Sequence, residues 1–288
     1  MTSIPCENTT PAIRERVAEL IASASLEIIP LKGADSKVSA AAPGTTVTIT
    51  CSPKFGLERT LEHTAAAVAR GYRVVPHLAA RMVEDTHALR RFTARITELG
   101  VDELYVIGGD AAEPVGGFDS AGQVLDALAD FGHGLRRLGV GCYPEGHPKI
   151  SDAVLLEALV DKQIHADYMV SQLCFDSAAL LHWIDEVRGL GVNLPLRVGL
   201  AAPIKTSRLV ELSLKIGVGQ SLRYLTKQHG MVGGLLLGRS YAPETLLLGL
   251  GERLTTAELG IEGLHIFTFN QVEVTADWQR RIAEGVRR

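Results

Sequence analysis

Residues 73–107 read RVVPHLAARMVEDTHALRRFTARITELGVDELYVI, and this stretch decides the fold. Its ends, 73–77 and 103–107, are short apolar runs rich in Val, Leu and Ile. Between them Leu89, Phe92, Ile96 and Leu99 recur close to the 3.6-residue period, which lays one apolar stripe along a helix. Gly100 follows, where a residue free to take positive φ can end a helix. An amphipathic segment between two apolar runs is the signature of a parallel-sheet α/β fold.

The alternation continues in both directions. Eight such runs occupy 25–29, 46–50, 73–77, 103–107, 140–143, 167–171, 195–200 and 264–267. Their near-continuous apolarity suits strands covered on both faces. Leu57, Leu61, Ala65 and Val68 form another helical stripe, closed by Gly71. Ser151 and Asp176 precede apolar periodic segments as N-caps, and Pro11 suits the first turn of a leading helix. Eight strands alternating with helices fit a (β/α)8 TIM barrel, which needs about 250 residues, better than a doubly wound sheet. The expectation is one barrel over residues 1–288, with an N-terminal extension and helix in 1–23. The 59 or so residues of 205–263 hold extra helices in an elaborated crossover between strands seven and eight. Residues 33–44 read as a mobile loop.

Composition excludes other classes. With 29 basic and 33 acidic residues the net charge is −4, so the chain lacks the basic surface that nucleic acid requires. The four cysteines show no CxxC spacing, which points to a reducing cytoplasm. Residues 1–9 are polar and lack a secretory pattern, and the apolar stretch 231–250 is broken by Arg239, Pro243 and Glu244. A soluble protein is expected, with self-association left open.

In a parallel barrel the strand C-termini meet at one mouth, where function concentrates. The chain places hydrogen-bonding residues at seven of these ends: Glu27, Thr50, His77, Asp110 after Gly108-Gly109, Tyr143 to Pro148, Gln172, and Thr268 to Gln271. Glu27 lies within an apolar strand, where a carboxylate costs several kcal/mol unless it is paired or protonated. It is either a general acid or an inward Glu satisfied by a neighbouring Lys or Arg. Asp110 reads as a turn aspartate or a functional one, and His77 as a core histidine or a ligand contact. Residues 205–208, Lys-Thr-Ser-Arg, open a helix where an anion could bind. Gly217-Val218-Gly219 neither follows a strand nor has the third glycine of a dinucleotide loop. Glu27, His77, Asp110, Glu145 and His147 could converge, yet no HxH or HxxxH spacing occurs near a strand end, so no metal is expected.

These pieces occur in a telling order: Glu27-Ile28-Ile29-Pro30, Val47-Thr48-Ile49-Thr50, Pro76-His77-Leu78, Gly109-Asp110, Tyr143-Pro144-Glu145-Gly146-His147-Pro148, Ser171-Gln172-Leu173-Cys174-Phe175-Asp176 and His265-Ile266-Phe267-Thr268-Phe269-Asn270. The order, spread over about residues 24–271, resembles the methylenetetrahydrofolate reductases. The resemblance implies a TIM barrel that reduces 5,10-methylenetetrahydrofolate to 5-methyltetrahydrofolate, with hydride passing from NADH or NADPH through FAD. It makes Glu27 the general acid toward N10 and Asp110 a carboxylate between flavin and pterin. Gln172 then reads the pterin edge, with Phe267 and Gln271 also on the substrate side. Thr50, His77, Gly109, Asp110, Ser120, Tyr143, His147 and Lys162 fall to FAD.

The chain also departs from that pattern. Gly108-Gly109-Asp110 stands where the family commonly has Arg-Gly-Asp, and Phe267-Thr268-Phe269-Asn270-Gln271 where it has Tyr-Thr-Leu-Asn-Arg. The segment 152–163 keeps only Asp161 and Lys162 of the polar set that usually grips the FAD tail. Two alternatives therefore stand beside the FAD route: direct hydride transfer from NAD(P)H to the same folate, and a pterin-binding barrel that moves a one-carbon unit without redox chemistry.

Overall fold

The computed structural model describes residues 9–215 and 241–286. Eight parallel strands close into a barrel in sequence order. They are β1 (Ser25–Ile28), β2 (Thr46–Ile49), β3 (Arg73–Ala79), β4 (Glu103–Ile107), β5 (Arg137–Cys142), β6 (Tyr168–Leu173), β7 (Leu196–Ala201) and β8 (Ile261–Phe267). Around them lie α1 (Pro11–Ala22), α2 (Ala34–Val38), α3 (Gly56–Ala69), α4 (Thr86–Glu98), α5 (Ala121–Phe131), α6 (Asp152–Lys162), α7 (Ser177–Gly189), α8 (Thr206–Lys215), α9 (Glu244–Gly249) and α10 (Val272–Val286).

Side-chain alternation sorts each strand into two faces. Leu26, Ile28, Val47, Ile49, Leu104 and Val106 point outward and join one continuous apolar core with helix residues such as Leu89, Phe92 and Ile96. Each such side chain contributes roughly 1.5–3 kcal/mol on full burial. Their neighbours Glu27, Thr48 and Tyr105 consequently face into the barrel. Asp176 caps α7 as expected by accepting from Ala178 and Ala179, Pro11 opens α1 behind a Thr10 that accepts from Ile13, and Ser151 precedes α6 without a side-chain capping bond. Gly71 and Gly100 take φ of +82° and +80° after α3 and α4.

The N-terminal end of the barrel is plugged by charge. Glu103, 4% exposed, receives Arg136 at 2.9 Å and Arg197 at 3.2 Å. Glu262 joins Arg137 at 3.0 Å and Arg197 at 2.7 Å. The guanidinium groups of Arg197 and Arg137 both lie over the Tyr168 ring, 3.8 and 4.7 Å from its centroid. Gly139 makes room for it, since a Cβ there would sit 2.3 Å from the ring.

Several boundaries differ from the sequence expectation. β3 pairs with β4 as far as Ala79↔Ile107, so His77 lies inside the strand rather than at its end. β6 runs to Leu173 and takes in Gln172, while β8 begins at Ile261. The stretch 33–44 is not simply a loop, because Ala34 and Val38 bury themselves in the short helix α2. Between β7 and β8 the described residues form α8, α9 and a 3-10 turn at Gly251–Thr255. Gly217-Val218-Gly219 and much of the stretch 231–250 lie outside the described residues. No helix among the described residues is long and apolar enough to cross a membrane.

Candidate active site

β1 pairs with β2 on one side and β8 on the other, with Glu27 opposite Thr48 and Phe267. His265 lies two residues before Phe267 and therefore shares its face. The result is a hydrogen bond of 3.0 Å between Glu27 Oε2 and His265 Nε2, both buried. His77 comes from β3 and meets the edge of Tyr105 from β4, with ring centroids 4.6 Å apart. Its ring also lies 6.0 Å from that of His265, and Phe267 closes the group at 4.8 Å from His265.

A carboxylate oxygen of Glu27 and one ring nitrogen each of His77 and His265 lie within 4.8 Å of one another. His77 Nε2 and Thr48 Oγ1 are buried without a hydrogen-bond partner. Burial, reinforced by the neighbouring His265, holds the His77 imidazole well below the usual histidine range. It is therefore neutral at pH 7. Burial likewise pushes the Tyr105 phenol up, so it keeps its proton.

The residues after β8 hold Glu27 from behind. Thr268 Oγ1 donates to the Glu27 carbonyl. Asn270 Oδ1 accepts from the Ile29 N–H at 2.9 Å, and its Nδ2 donates to the Ile29 carbonyl at 2.9 Å. To do so the chain takes φ of +49° at Phe269 and +60° at Asn270. Asn tolerates that left-handed conformation and Phe does not, so the turn carries strain at the site. His265, Thr268 and Asn270 thus grip one short piece of β1 by side chain and backbone.

At the rim, Asp110 is exposed beyond Gly109, whose φ is +91°. A Cβ on Gly109 would lie 2.8 Å from that of Ala79, so the close approach needs glycine. The Tyr143 and His147 rings meet edge to face at 5.2 Å. Burial raises the Tyr143 phenol and lowers His147, with the charge of Asp110 acting on both. Glu145 Oε1 accepts the backbone N–H groups of Phe175 and Asp176 at 2.5 and 2.8 Å, which ties the Tyr-Pro-Glu-Gly-His-Pro loop to the start of α7. Gln172 Oε1 accepts from the Leu173 N–H at 2.9 Å, so its amide NH2 is the end available to a ligand.

Other expected residues lie apart from this group. Ser120 caps α5 by accepting from Gln123, and Gln271 precedes α10 with its N–H on the Thr268 carbonyl. Thr50 sits half-buried past β2, where its carbonyl accepts from Thr60. Lys162 turns inward and donates to the Gly141 carbonyl at 3.1 Å, and burial lowers its pKa. The rest of α6 presents Asp152, Glu157 and Asp161. A cavity of about 380 Å³ beside it is lined by Glu145, Asp152, Glu186 and Trp183 among others. Lys149, an exposed cation, lies near His147. A flank with this many carboxylates repels a diphosphate, so the set expected to hold FAD does not fit its tail. Sequence reasoning gave no role to Tyr105, Thr48 or His265. Two of them left a signal, His265 as the first residue of the His-x-x-Thr-x-Asn piece and Thr48 within the Val47–Thr50 piece.

Comparison with known proteins bears on this arrangement. In Schizosaccharomyces pombe, methylenetetrahydrofolate reductase 1 is 28% identical over 116 residues, which are 37% of this chain and 19% of that protein. The match thus spans about a fifth of the length of that relative. Among solved structures, a protein described as a lyase/mutase from Burkholderia cenocepacia is 15% identical at a TM-score of 0.50, covering 96% of this chain and 89% of its own. The carboxyl transferase domain of Rhizobium etli pyruvate carboxylase is 12% identical at a TM-score of 0.48, covering 100% and 53%. The first of these likenesses speaks to the barrel fold alone. The family model described as methylenetetrahydrofolate reductase matches residues 33–219, well over half of the chain. The match takes in β2 to β7, with His77, Asp110 and Gln172, and the chain belongs to the methylenetetrahydrofolate reductase family.

Proposed function

We propose that this chain reduces 5,10-methylenetetrahydrofolate to 5-methyltetrahydrofolate with hydride from NADH or NADPH. The observation that carries the reading is Glu27, a buried carboxyl group at the barrel mouth whose bonded partner is an imidazole rather than a guanidinium. An imidazole can itself take or give up a proton, which a guanidinium in a protein does not, so the pair suits proton transfer. Glu27 gives that proton to N10 of the folate as the bond from N10 to the bridging carbon breaks. The one-carbon unit is left as an iminium on N5. Hydride then adds to that carbon and produces the methyl group. Asp110 and the Gln172 amide, both at the rim, orient the pterin.

FAD is the hydride carrier that the resemblance implies. The acidic flank of α6 and the inward turn of Lys162 do not fit its diphosphate, so no step is derived through it. The reduced polar set of 152–163, which keeps only Asp161 and Lys162, supports direct transfer from the nicotinamide to the folate, with Tyr143 and His147 forming one wall of the mouth. The absorption spectrum of the purified protein tests the choice together with turnover in flavin-free buffer. Direct transfer predicts no flavin bands and NAD(P)H oxidation that depends on methylenetetrahydrofolate. Turnover that requires added FAD would restore the flavin route. A pterin barrel without redox chemistry would oxidise no NAD(P)H at all.

A further inference from the structure

The groups facing Glu27 come from four strands: Thr48 from β2, His77 from β3, Tyr105 from β4 and His265 from β8. Behind Tyr105 lie the Tyr143 phenol and the Cys142 thiol. The ion-pair partner of Glu27 among the described residues is His265. Two imidazoles therefore approach one carboxyl group, with only one of them bonded to it in the resting protein.

We propose that His77 and His265 form a two-imidazole cradle that aims the proton of Glu27 and then receives the carboxylate left behind. His265 donates its Nε2–H to Oε2, which keeps the transferable proton on the other oxygen. When that proton leaves for N10, a negative charge appears in a buried site and needs donors already in place. His265 supplies one, and the neutral His77 supplies a second N–H from a ring nitrogen within 4.8 Å of the cluster. The unpartnered Nε2 of His77 is then a cost carried in the ground state and recovered as charge develops. Both histidines are positioning residues that act through Glu27, and this inference rests on the reductase reading.

The same three side chains are also a two-nitrogen, one-oxygen set of the kind that suits zinc. The direct 3.0 Å bond between Glu27 and His265 already uses one donor on another. A bound dication would also keep the carboxylate ionised, against acid duty.

The test combines kinetics on His265→Leu, His265→Gln and His77→Leu with 15N NMR of histidine-labelled wild-type protein. His265→Leu is expected to lose about 100-fold in kcat, with KM for folate changed less than about threefold. Loss of a donor to the carboxylate also moves the alkaline limb of kcat/KM up by about one pH unit. His265→Gln, which keeps an N–H near the same place, recovers at least about tenfold, and His77→Leu loses about tenfold. The NMR spectrum should show His265 neutral with its proton on Nε2, and His77 neutral. A His265→Leu enzyme with an unmoved limb, no recovery in Gln, or a cationic His265 at pH 7 would overturn the cradle. Visible cobalt bands lost in both His→Leu variants would overturn it in favour of a metal site. The expected tautomers in a wild-type protein without turnover would support the cradle's geometry and sink the reductase reading instead.

Discussion

Glu27 and Glu103 are both glutamates inside one barrel, 9% and 4% exposed, and they are built for opposite purposes. Glu103 opens β4 at the N-terminal end and faces Arg73, Arg136 and Arg197. Three guanidinium groups pair with it, and the network with Glu262 and Tyr168 plugs the floor. Glu27 lies nearer the other end, where the described groups that face it are Thr48, His77, Tyr105 and His265, with no guanidinium or ammonium among them. Buried carboxylates need partners, and the partner's chemistry decides whether the group is a strut or an acid.

Breaking the strut should produce the largest effect on folding. Glu103→Ala leaves Arg197, 14% exposed in its side chain, with one carboxylate fewer in a buried site. A loss of about 3–5 kcal/mol is expected from urea unfolding, with kcat per folded molecule unchanged. A cost under about 1 kcal/mol would mean that the floor network is ornamental. Gly109→Ala comes next, because φ of +91° and a 2.8 Å approach to Ala79 both oppose a side chain. It should cost about 1–3 kcal/mol and raise KM for folate by displacing Asp110. Unchanged unfolding and unchanged KM would free Asp110 from this backbone.

The mouth has its own signature in pH. His77 has a folded-state pKa well below the ordinary 6.5, so the unfolded chain binds its proton first as pH falls. The stability that follows from a neutral His77 is present above about pH 6.5 and is lost below it, by at most about 1.4 kcal/mol per pH unit. The partly exposed His133 and His147 are lowered in the same direction and add to the slope. Urea titrations between pH 5 and 8 should show the decline, and His77→Gln should flatten part of it. An identical slope in that variant would place the titrating group elsewhere.

The strand–helix rhythm of 73–107 was readable because burial on both strand faces and one helix face writes itself into local spacing. The same rhythm hid where strands continue: β3 runs on through Leu78 and Ala79, which carry no break signal. Glu27 stood out because a carboxylate inside an apolar strand is locally anomalous. His265 did not, since a histidine among Leu264 and Ile266 resembles any strand residue and its partner is 238 residues away. Thr268 and Asn270 were legible as polar residues at the mouth, but their bonds go to the backbone of Glu27 and of Ile29 just past β1. Lys162 falls to FAD only through the resemblance, and its place at the end of α6 gives no local sign that its amine donates to the Gly141 carbonyl.

The central claim is that Glu27 supplies a proton and Glu103 does not. Methyltetrahydrofolate formation by wild type and Glu27→Gln, measured under conditions where both are folded by thermal unfolding, tests it most directly. The account predicts that wild type forms the product and that Glu27→Gln falls by about 10²–10⁴-fold with its fold intact. A folded Glu27→Gln protein that works within a few-fold of wild type would contradict it.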